Sequence, residues 1–131
     1  MTQEKFSRPK LPVVSEQMKA WSAALVGEIS GWPMVTSRAF FGLTALYRKD
    51  QIFAVLPRTR GMETPNSFGF KFETVPSNLR ERLEKDSRIG STRVQRARWF
   101  TFELSSDADL KEGLKWLSRA YEAGGKAKKS S

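Results

Sequence analysis

The sequence predicts an α+β fold: a two-layer domain with an antiparallel five-stranded sheet and helices on one face. Apolar runs with the two-residue period of strands are grouped together, and runs with helical periodicity lie before, between and after these groups. The predicted element order is therefore α-β-β-β-α-β-β-α. Strands that follow one another directly favour antiparallel pairing, because a parallel pair needs a long crossover between its strands.

The first helix follows residues 1–13, where charges and prolines without periodicity predict an extended arm. Ser15 is a suitable N-cap, and Gly31 and Pro33 predict the end of the helix. Apolar residues recur every three or four positions, as the buried face of a helix requires. This stripe consists of Val14, Met18, Trp21, Leu25 and Ile29.

Three strands come next, each a short run rich in aromatic and β-branched residues. They are predicted over Phe40–Arg48, Ile52–Leu56 and Ser67–Glu73. Residues 49–51 are few enough to form a hairpin loop, whereas residues 57–66 are more than a tight hairpin needs. This longer loop carries Arg58 and Arg60 and is a weak candidate for binding.

The first two of these strands are apolar in both alternation phases, which is typical of strands buried on both faces. Since the helices cover one face of the sheet, the other face needs a cover of its own. A second copy of the chain or a partner protein is one candidate. The last helix or the chain ends, folded around the sheet, are the other.

The second half of the domain begins with a short helix from Pro76 and Ser77 to about Asp86. An irregular fourth strand over Ser87–Val94 and a turn at residues 95–97 follow. The fifth strand, Arg98–Leu104, alternates in polarity. Its core-facing residues are Phe100, Phe102 and Leu104, and its outward-facing residues are Trp99, Thr101 and Glu103.

A last helix is predicted from the capping-box spacing of residues 106–109, and its stripe is Leu110, Leu114, Leu117 and Tyr121. Gly124 and Gly125 predict its end. Residues 124–131 are then a flexible basic tail, and residues 14–123 form a single domain.

Composition excludes several classes of function. The 131 residues include neither cysteine nor histidine, so a disulfide framework, a Cys/His zinc site and a histidine-dependent nucleophile are absent. Asp107 and Asp109 are explained by helix capping, and Glu81 and Glu84 lie among arginines on a surface helix. We therefore expect no enzyme activity, metal site or cofactor.

The location of the protein is predicted from its apolar segments. None approaches the ~20 residues that span a bilayer, and charges and prolines near the N-terminus are unlike a signal peptide. We therefore expect a cytoplasmic protein without membrane contact.

Positive charge is the strongest functional signal. The net charge is +9, which favours attraction to polyanions; the alternative is that the basic surface only confers solubility. Residues 87–101 contain four arginines, no acidic residue and an outward-facing tryptophan, a combination that could bind phosphates and stack on a base. Together with the two arginines of the long loop, the candidate residues for nucleic-acid or partner binding are Arg88, Arg93, Arg96, Arg98, Trp99, Arg58 and Arg60.

A structural explanation of the same segment is that its arginines pair with Glu73, Glu81 or Glu103 and that Trp99 packs at a dimer interface. Two functions therefore stay open. The first is a protein-interaction or homodimerising module that buries the second sheet face. The alternative is a nucleic-acid-binding module that uses the segment from Arg88 to Arg98.

Residues 35–56 resemble the signature of the TfoX N-terminal domain, in which an arginine precedes an aromatic-glycine segment and a hairpin. The matching residues are Arg38, Phe40, Phe41, Gly42, Tyr47, Phe53 and Ala54. Residues 98–122 resemble the end of YjbR-like domains and of the small family labelled luciferase-like. The resemblance spans about Ser15 to Glu122 and implies the two-layer architecture of type III secretion chaperones. It implies little chemistry: TfoX relatives are associated with regulation of competence, and YjbR relatives are suspected of binding DNA.

Overall fold

The computed structural model describes residues 13–62, 64–90 and 98–130, with side chains through residue 123. The described helices are α1 Glu16–Ile29, α2 Ser77–Lys85 and α3 Ala108–Ser130. The described strands are β1 Val35–Phe40, β2 Leu43–Arg48, β3 Gln51–Pro57, β4 Ser67–Lys71, β5 Ile89–Gly90 and β6 Trp99–Glu103. They form one sheet in the order β1-β2-β3-β4-β6-β5, and every neighbouring pair is antiparallel. The predicted α+β class is confirmed.

The sheet has six strands, so the prediction of five is wrong. The predicted strand Phe40–Arg48 is in fact a turn followed by β2. β1 ends at Phe40, and the two residues Phe41 and Gly42 reverse the chain with φ angles of 47° and 82°. Positive φ at both positions is typical of the tight type I′ hairpin turn. The turn is hidden in the sequence because an apolar phenylalanine stands where asparagine or aspartate usually marks it.

The core lies between the sheet and the helices, on the inner face of the sheet. The predicted stripe of α1 is buried there, and the Ser15 side chain caps the helix by accepting a hydrogen bond from the Met18 N–H at 3.1 Å. Leu83 of α2 and Trp116 of α3 join the same core. The sheet contributes fully buried aromatic rings, which are Phe68, Phe70, Phe100 and Phe102.

The second half differs from prediction at two places. Of the predicted fourth strand, residues 87–88 form a turn and Ile89–Gly90 form β5, while residues 91–94 and the predicted turn at residues 95–97 lie outside the described residues. The predicted end of the last helix at Gly124 and Gly125 is wrong, because α3 continues through Ser130. Each helical glycine costs only about 1 kcal/mol relative to alanine, and the neighbouring alanines and lysines are good helix formers.

The outer face of the sheet is apolar at its centre. Leu43, Ala45 and Val55 are only 3%, 0% and 4% exposed, and half-buried Tyr47 and Trp99 pack beside them. These three side chains are therefore buried within a single chain and do not need a second copy to cover them. The described side chains of α3 pack on the inner face, so the alternative that the last helix covers the outer face is wrong.

Over the described ranges, no helix combines the length and apolar character needed to cross a membrane. Residues 1–12 of the predicted arm and residue 131 are not among those ranges. Val13 is described, and it forms an isolated antiparallel bridge with Arg60 in the loop after β3.

Candidate functional site

The candidate site residues do not form one cluster. Arg93 and Arg96 lie outside the described residues, and the other five lie at three separate places. These places are the loop after β3 with Arg58 and Arg60, the residue before β5 with Arg88, and the start of β6 with Arg98 and Trp99. Trp99 begins β6, whereas the Arg88 carbonyl accepts a hydrogen bond from the Glu103 N–H at the opposite end of that strand.

Arg88 is held by two carboxylates. Its guanidinium donates two hydrogen bonds to Asp86, at 2.9 and 3.0 Å, and one to Asp109, at 3.0 Å. It also lies 4.9 Å from the centre of the Phe102 ring. These partners differ from the predicted Glu73, Glu81 and Glu103. Arg88 joins the end of α2 to the start of α3, and because three of the five N–H donors of its guanidinium are used within the chain, it is a poor phosphate ligand.

The pKa values of both carboxyl groups reflect this clamp. Burial opposes ionisation of Asp86, but hydrogen bonds from Arg88 outweigh it and lower the pKa. The pKa of Asp109 is lowered by the backbone N–H of Ser105 and, despite some burial, by the Arg88 side chain. The same contacts raise the pKa of Arg88. All three groups are therefore charged at neutral pH.

Arg98 and Trp99 also have partners within the chain. Arg98 lies 3.7 Å from the Glu73 carboxylate, which confirms one of the predicted ion pairs. Trp99 lies on the outer face, as predicted, but its ring packs against the apolar cluster around Val55. Half-burial in this cluster leaves less of the ring for stacking on a base than the sequence suggested.

Arg58 and Arg60 are brought against the β1–β2 turn. The Gly42 carbonyl accepts hydrogen bonds from the N–H groups of Arg58, Thr59 and Arg60 at 3.0, 2.9 and 3.1 Å. Successive N–H groups that converge on one point form an anion-binding nest in other proteins. Here the Gly42 oxygen occupies that position. The arginine side chains, and not the loop backbone, are therefore the groups that could contact a ligand.

The same turn exposes two aromatic rings. Phe41 is 78% exposed and Phe40 46% exposed, and their rings meet edge to face with centroids 4.9 Å apart. Val13, 66% exposed, is joined to this place by its bridge to Arg60. We call this surface, formed by Val13, Phe40, Phe41, Arg58 and Arg60, the hairpin corner. Of the four large hydrophobic side chains exposed among the described residues, three belong to it.

Phe41 is unfavourable for the folded chain in two ways. Its φ of 47° is an uncommon conformation for a bulky residue, and asparagine would fit this turn with less strain. Its ring also stays in water, with Phe40 as its aromatic neighbour. Residues in strained backbone conformations concentrate at functional sites, where the conformation serves binding or catalysis and not stability. The site was not predicted from the sequence, although Gly42 inside a predicted strand is a signal for an irregular backbone or a close approach of another segment.

A second surface is an open groove of about 650 Å³ between α2 and α3. Arg82, Lys85 and Arg119 line it, and the Arg119 guanidinium lies 4.7 Å from the centre of the buried Trp116 ring. None of these three cations takes part in an ion pair between described residues. The groove is therefore predominantly cationic, although Glu112 and Asp86, the latter paired with Arg88, also line it.

The described residues contain no group of acidic side chains arranged to hold a metal ion. Comparison of the chain with protein-family models, curated proteins and solved structures found no match. The resemblance to TfoX N-terminal and YjbR-like domains therefore stays a prediction.

Proposed function

We propose that this chain is a non-enzymatic binding domain that engages a protein partner through the hairpin corner. The observation that carries the proposal is Phe41, a 78% exposed aromatic ring held in a strained turn. Contiguous exposed apolar surface commonly marks an interaction site. Burial of this ring in a partner would offset what its exposure and conformation cost the free chain.

The chemistry of the corner favours a protein as the ligand. Aromatic residues and arginine are enriched in the energetic centres of protein interfaces, and Phe41 and Arg58 provide both. The corner is also preorganised, since the three hydrogen bonds to the Gly42 carbonyl fix the turn against the loop. A rigid anchor loses little conformational entropy on binding.

Site-specific photocrosslinking tests this proposal. p-Benzoylphenylalanine is placed at Phe41, in the full chain expressed in its native cells, and cross-linked proteins are identified by mass spectrometry. The matched control carries the same amino acid at Glu84, which is exposed on α2. We expect one protein to be captured from position 41 and not from position 84. Capture of the same proteins from both positions, or no capture from position 41, would contradict the proposal.

A second candidate is binding of nucleic acid, which the cationic groove favours. Arg82, Lys85 and Arg119 lack carboxylate partners among the described residues, and the chain carries a net charge of +9. Cations of this kind bind phosphates with an affinity that falls with salt, by about 0.9 logarithmic unit per neutralised phosphate on duplex DNA.

Fluorescence anisotropy with labelled single-stranded and duplex oligonucleotides, at three salt concentrations, tests this candidate. Two variant chains locate the contact: one replaces Arg82, Lys85 and Arg119 with alanine, and the other replaces Arg93, Arg96 and Arg98. A salt-dependent affinity that one of these variants abolishes would support nucleic-acid binding. Absence of binding at low salt would reject it and leave the protein partner as the sole candidate.

A further inference from the structure

We propose that β1 binds an extended, acidic segment of the partner as an additional strand of the sheet. This inference rests on the proposed function of the hairpin corner and specifies how the partner continues from it. Addition of a strand at a sheet edge is an established mode of peptide recognition, in which backbone hydrogen bonds provide affinity and neighbouring side chains provide specificity.

The backbone of β1 is suitable for this role. β1 is the edge strand of the sheet, and β2 is its only neighbour among the described strands. The Lys49 N–H donates a hydrogen bond to the Met34 carbonyl, so these two residues form a hydrogen-bonded pair. Hydrogen-bonded and non-hydrogen-bonded pairs alternate along an antiparallel hairpin, so this pair shows which backbone groups of β1 point toward β2. By this alternation the backbone N–H and C=O groups of Arg38 and Phe40 point toward β2, and those of Ser37 and Ala39 point away from it.

The edge is also accessible. β1 has six residues, and all of those from Thr36 to Phe40 are exposed. Natural proteins usually protect such an edge with proline, with charged side chains, above all lysine, with a bulge or with a very short strand. β1 contains neither proline nor lysine. The one charged residue of β1 is Arg38.

The positive charge beside β1 indicates which kind of segment would bind there. Arg38 lies on the outer face, 5.5 Å from the centre of the Tyr47 ring, and Arg58 extends the positive charge at the corner. An opposite charge directly across from Arg38 on an added strand is stabilising, and a like charge is destabilising. Pairing with a second copy would place one Arg38 near another and bring together two chains of charge +9. An acidic strand is therefore favoured over a second copy.

Side-chain alternation also predicts the pattern of the segment. Arg38 and Phe40 share the outer face, two residues apart. The added strand should therefore carry an acidic side chain beside Arg38 and, two positions away on the same face, an apolar side chain beside Phe40. Phe41, at the tip of the turn, would contact the partner just beyond this strand.

A synthetic peptide tests the inference. The probe is a fluorescein-labelled ten-residue peptide in which glutamate alternates with threonine and the last glutamate is replaced by tryptophan. One control peptide has lysine in place of glutamate. Two further peptides are N-methylated on alternate amides, one on the odd-numbered residues and the other on the even-numbered residues. By fluorescence anisotropy with the full chain, we expect the glutamate peptide to bind and the lysine peptide to have an affinity at least tenfold lower. One N-methylation phase should abolish binding and the other should not.

Variants of the chain assign the contact. Ser37→Pro removes an outward N–H and is tolerated at such edge positions, whereas Ser37→Ala keeps it. We expect Ser37→Pro to weaken peptide binding at least tenfold and Ser37→Ala to leave it unchanged, with both variants folded by urea denaturation. If Ser37→Pro does not fold, the N-methylated peptides decide the same question.

The outcomes separate this inference from the proposed function. No peptide binding, or binding indifferent to charge and to N-methylation, would overturn strand addition while leaving the photocrosslinking result at Phe41 to judge the corner. Binding that Phe41→Asn abolishes and Ser37→Pro does not would support the corner and overturn strand addition. A homodimer that Ser37→Pro dissociates would replace the acidic segment with a second copy as occupant.

Discussion

At the scale of single residues, the turn of the hairpin corner consists of Phe41 and Gly42, of which only the glycine fits its backbone conformation. Gly42 suits its conformation, since a positive φ costs glycine nothing and its hydrogen atom leaves room for the loop that carries Arg60. Phe41 does not suit its conformation, and its ring is exposed. An exposed aromatic ring in a strained turn is what a trade of stability for the proposed binding function would produce.

Replacement of Phe41 should separate stability from binding. Phe41→Asn gives the Asn-Gly sequence that type I′ turns favour, and it removes a ring that is largely in water. Relief of strain should offset loss of the contact with Phe40, so the free energy of unfolding should stay constant or rise by up to about 1 kcal/mol. Urea denaturation measures it. A loss above about 1 kcal/mol would show that Phe41 stabilises the fold.

Replacement of Gly42 should destabilise the same turn. In Gly42→Ala the new Cβ would lie 2.7 Å from Cγ of Arg60 and 2.8 Å from Oγ1 of Thr59, at a φ of 82°. We expect the free energy of unfolding to fall by about 1–2 kcal/mol. The control is Gly27→Ala in α1, where no atom lies within 4 Å and helix propensity should add about 1 kcal/mol. Equal effects of the two substitutions in urea denaturation would contradict this description of the turn.

At the scale of secondary-structure elements, Arg88 fastens the end of α2 to the start of α3. Asp86 follows α2 directly, and Asp109 lies in the first turn of α3. Their carboxylates meet on one guanidinium, so the residue that the sequence marks as a phosphate ligand stabilises the helical layer instead. Ion pairs that share a bidentate arginine with good geometry contribute more than isolated surface pairs.

The pH dependence of stability tests this clamp. Both carboxyl pKa values are lowered in the fold, so the clamp stabilises above the ordinary aspartate pKa of about 3.9 and is lost as pH falls through the lowered values. Arg88→Met should reduce the free energy of unfolding by about 2 kcal/mol at pH 7, and the deficit should shrink at pH 3. Arg82→Met, which breaks no ion pair of the described residues, is the control. A deficit independent of pH would contradict the clamp.

Prediction from sequence succeeded for elements whose burial is periodic. The stripe of α1 and the alternation of β6 correspond directly to one buried face, which the chemistry of each side chain reports. The first hairpin was not predicted because Phe41 is apolar yet 78% exposed, so its hydrophobicity does not report burial. The partners of Arg88 could not be predicted, since Asp109 lies 21 positions away and the fold alone brings it near.

At the scale of the whole molecule, the sheet defines two surfaces of different character. Its inner face is filled by the helices, and Leu43, Ala45 and Val55 at the centre of its outer face are buried within one chain. Apart from Met34, the large hydrophobic side chains that are exposed among the described residues belong to the hairpin corner. The proposed binding site therefore lies at the margin of the sheet, whereas the sequence, with both phases of its first strands apolar, had favoured the broad outer face.

The oligomeric state follows from the same distribution. The outer face does not require a second copy, and Arg38 opposes pairing of two β1 edges, so we expect the isolated chain to be monomeric in sedimentation equilibrium at physiological salt. Ser37→Pro removes a hydrogen-bond donor from the β1 edge and Ser37→Ala keeps it, so sedimentation of the two variants shows whether any dimer forms through this edge. Any dimer would contradict this expectation: one that both variants retain would point to the outer face, and one that Ser37→Pro alone dissociates would point to the β1 edge.

The most direct test of the central claim is the affinity of the cross-linked partner for the wild-type chain and for Phe41→Asn. A buried aromatic anchor contributes about 2 kcal/mol or more at an interface, so the dissociation constant measured by calorimetry should rise about 30-fold. The stability of the variant, measured in parallel, should be unchanged. Affinities that agree within about twofold would contradict the claim that the hairpin corner is the binding site, because an anchor at the centre of an interface cannot be removed without loss.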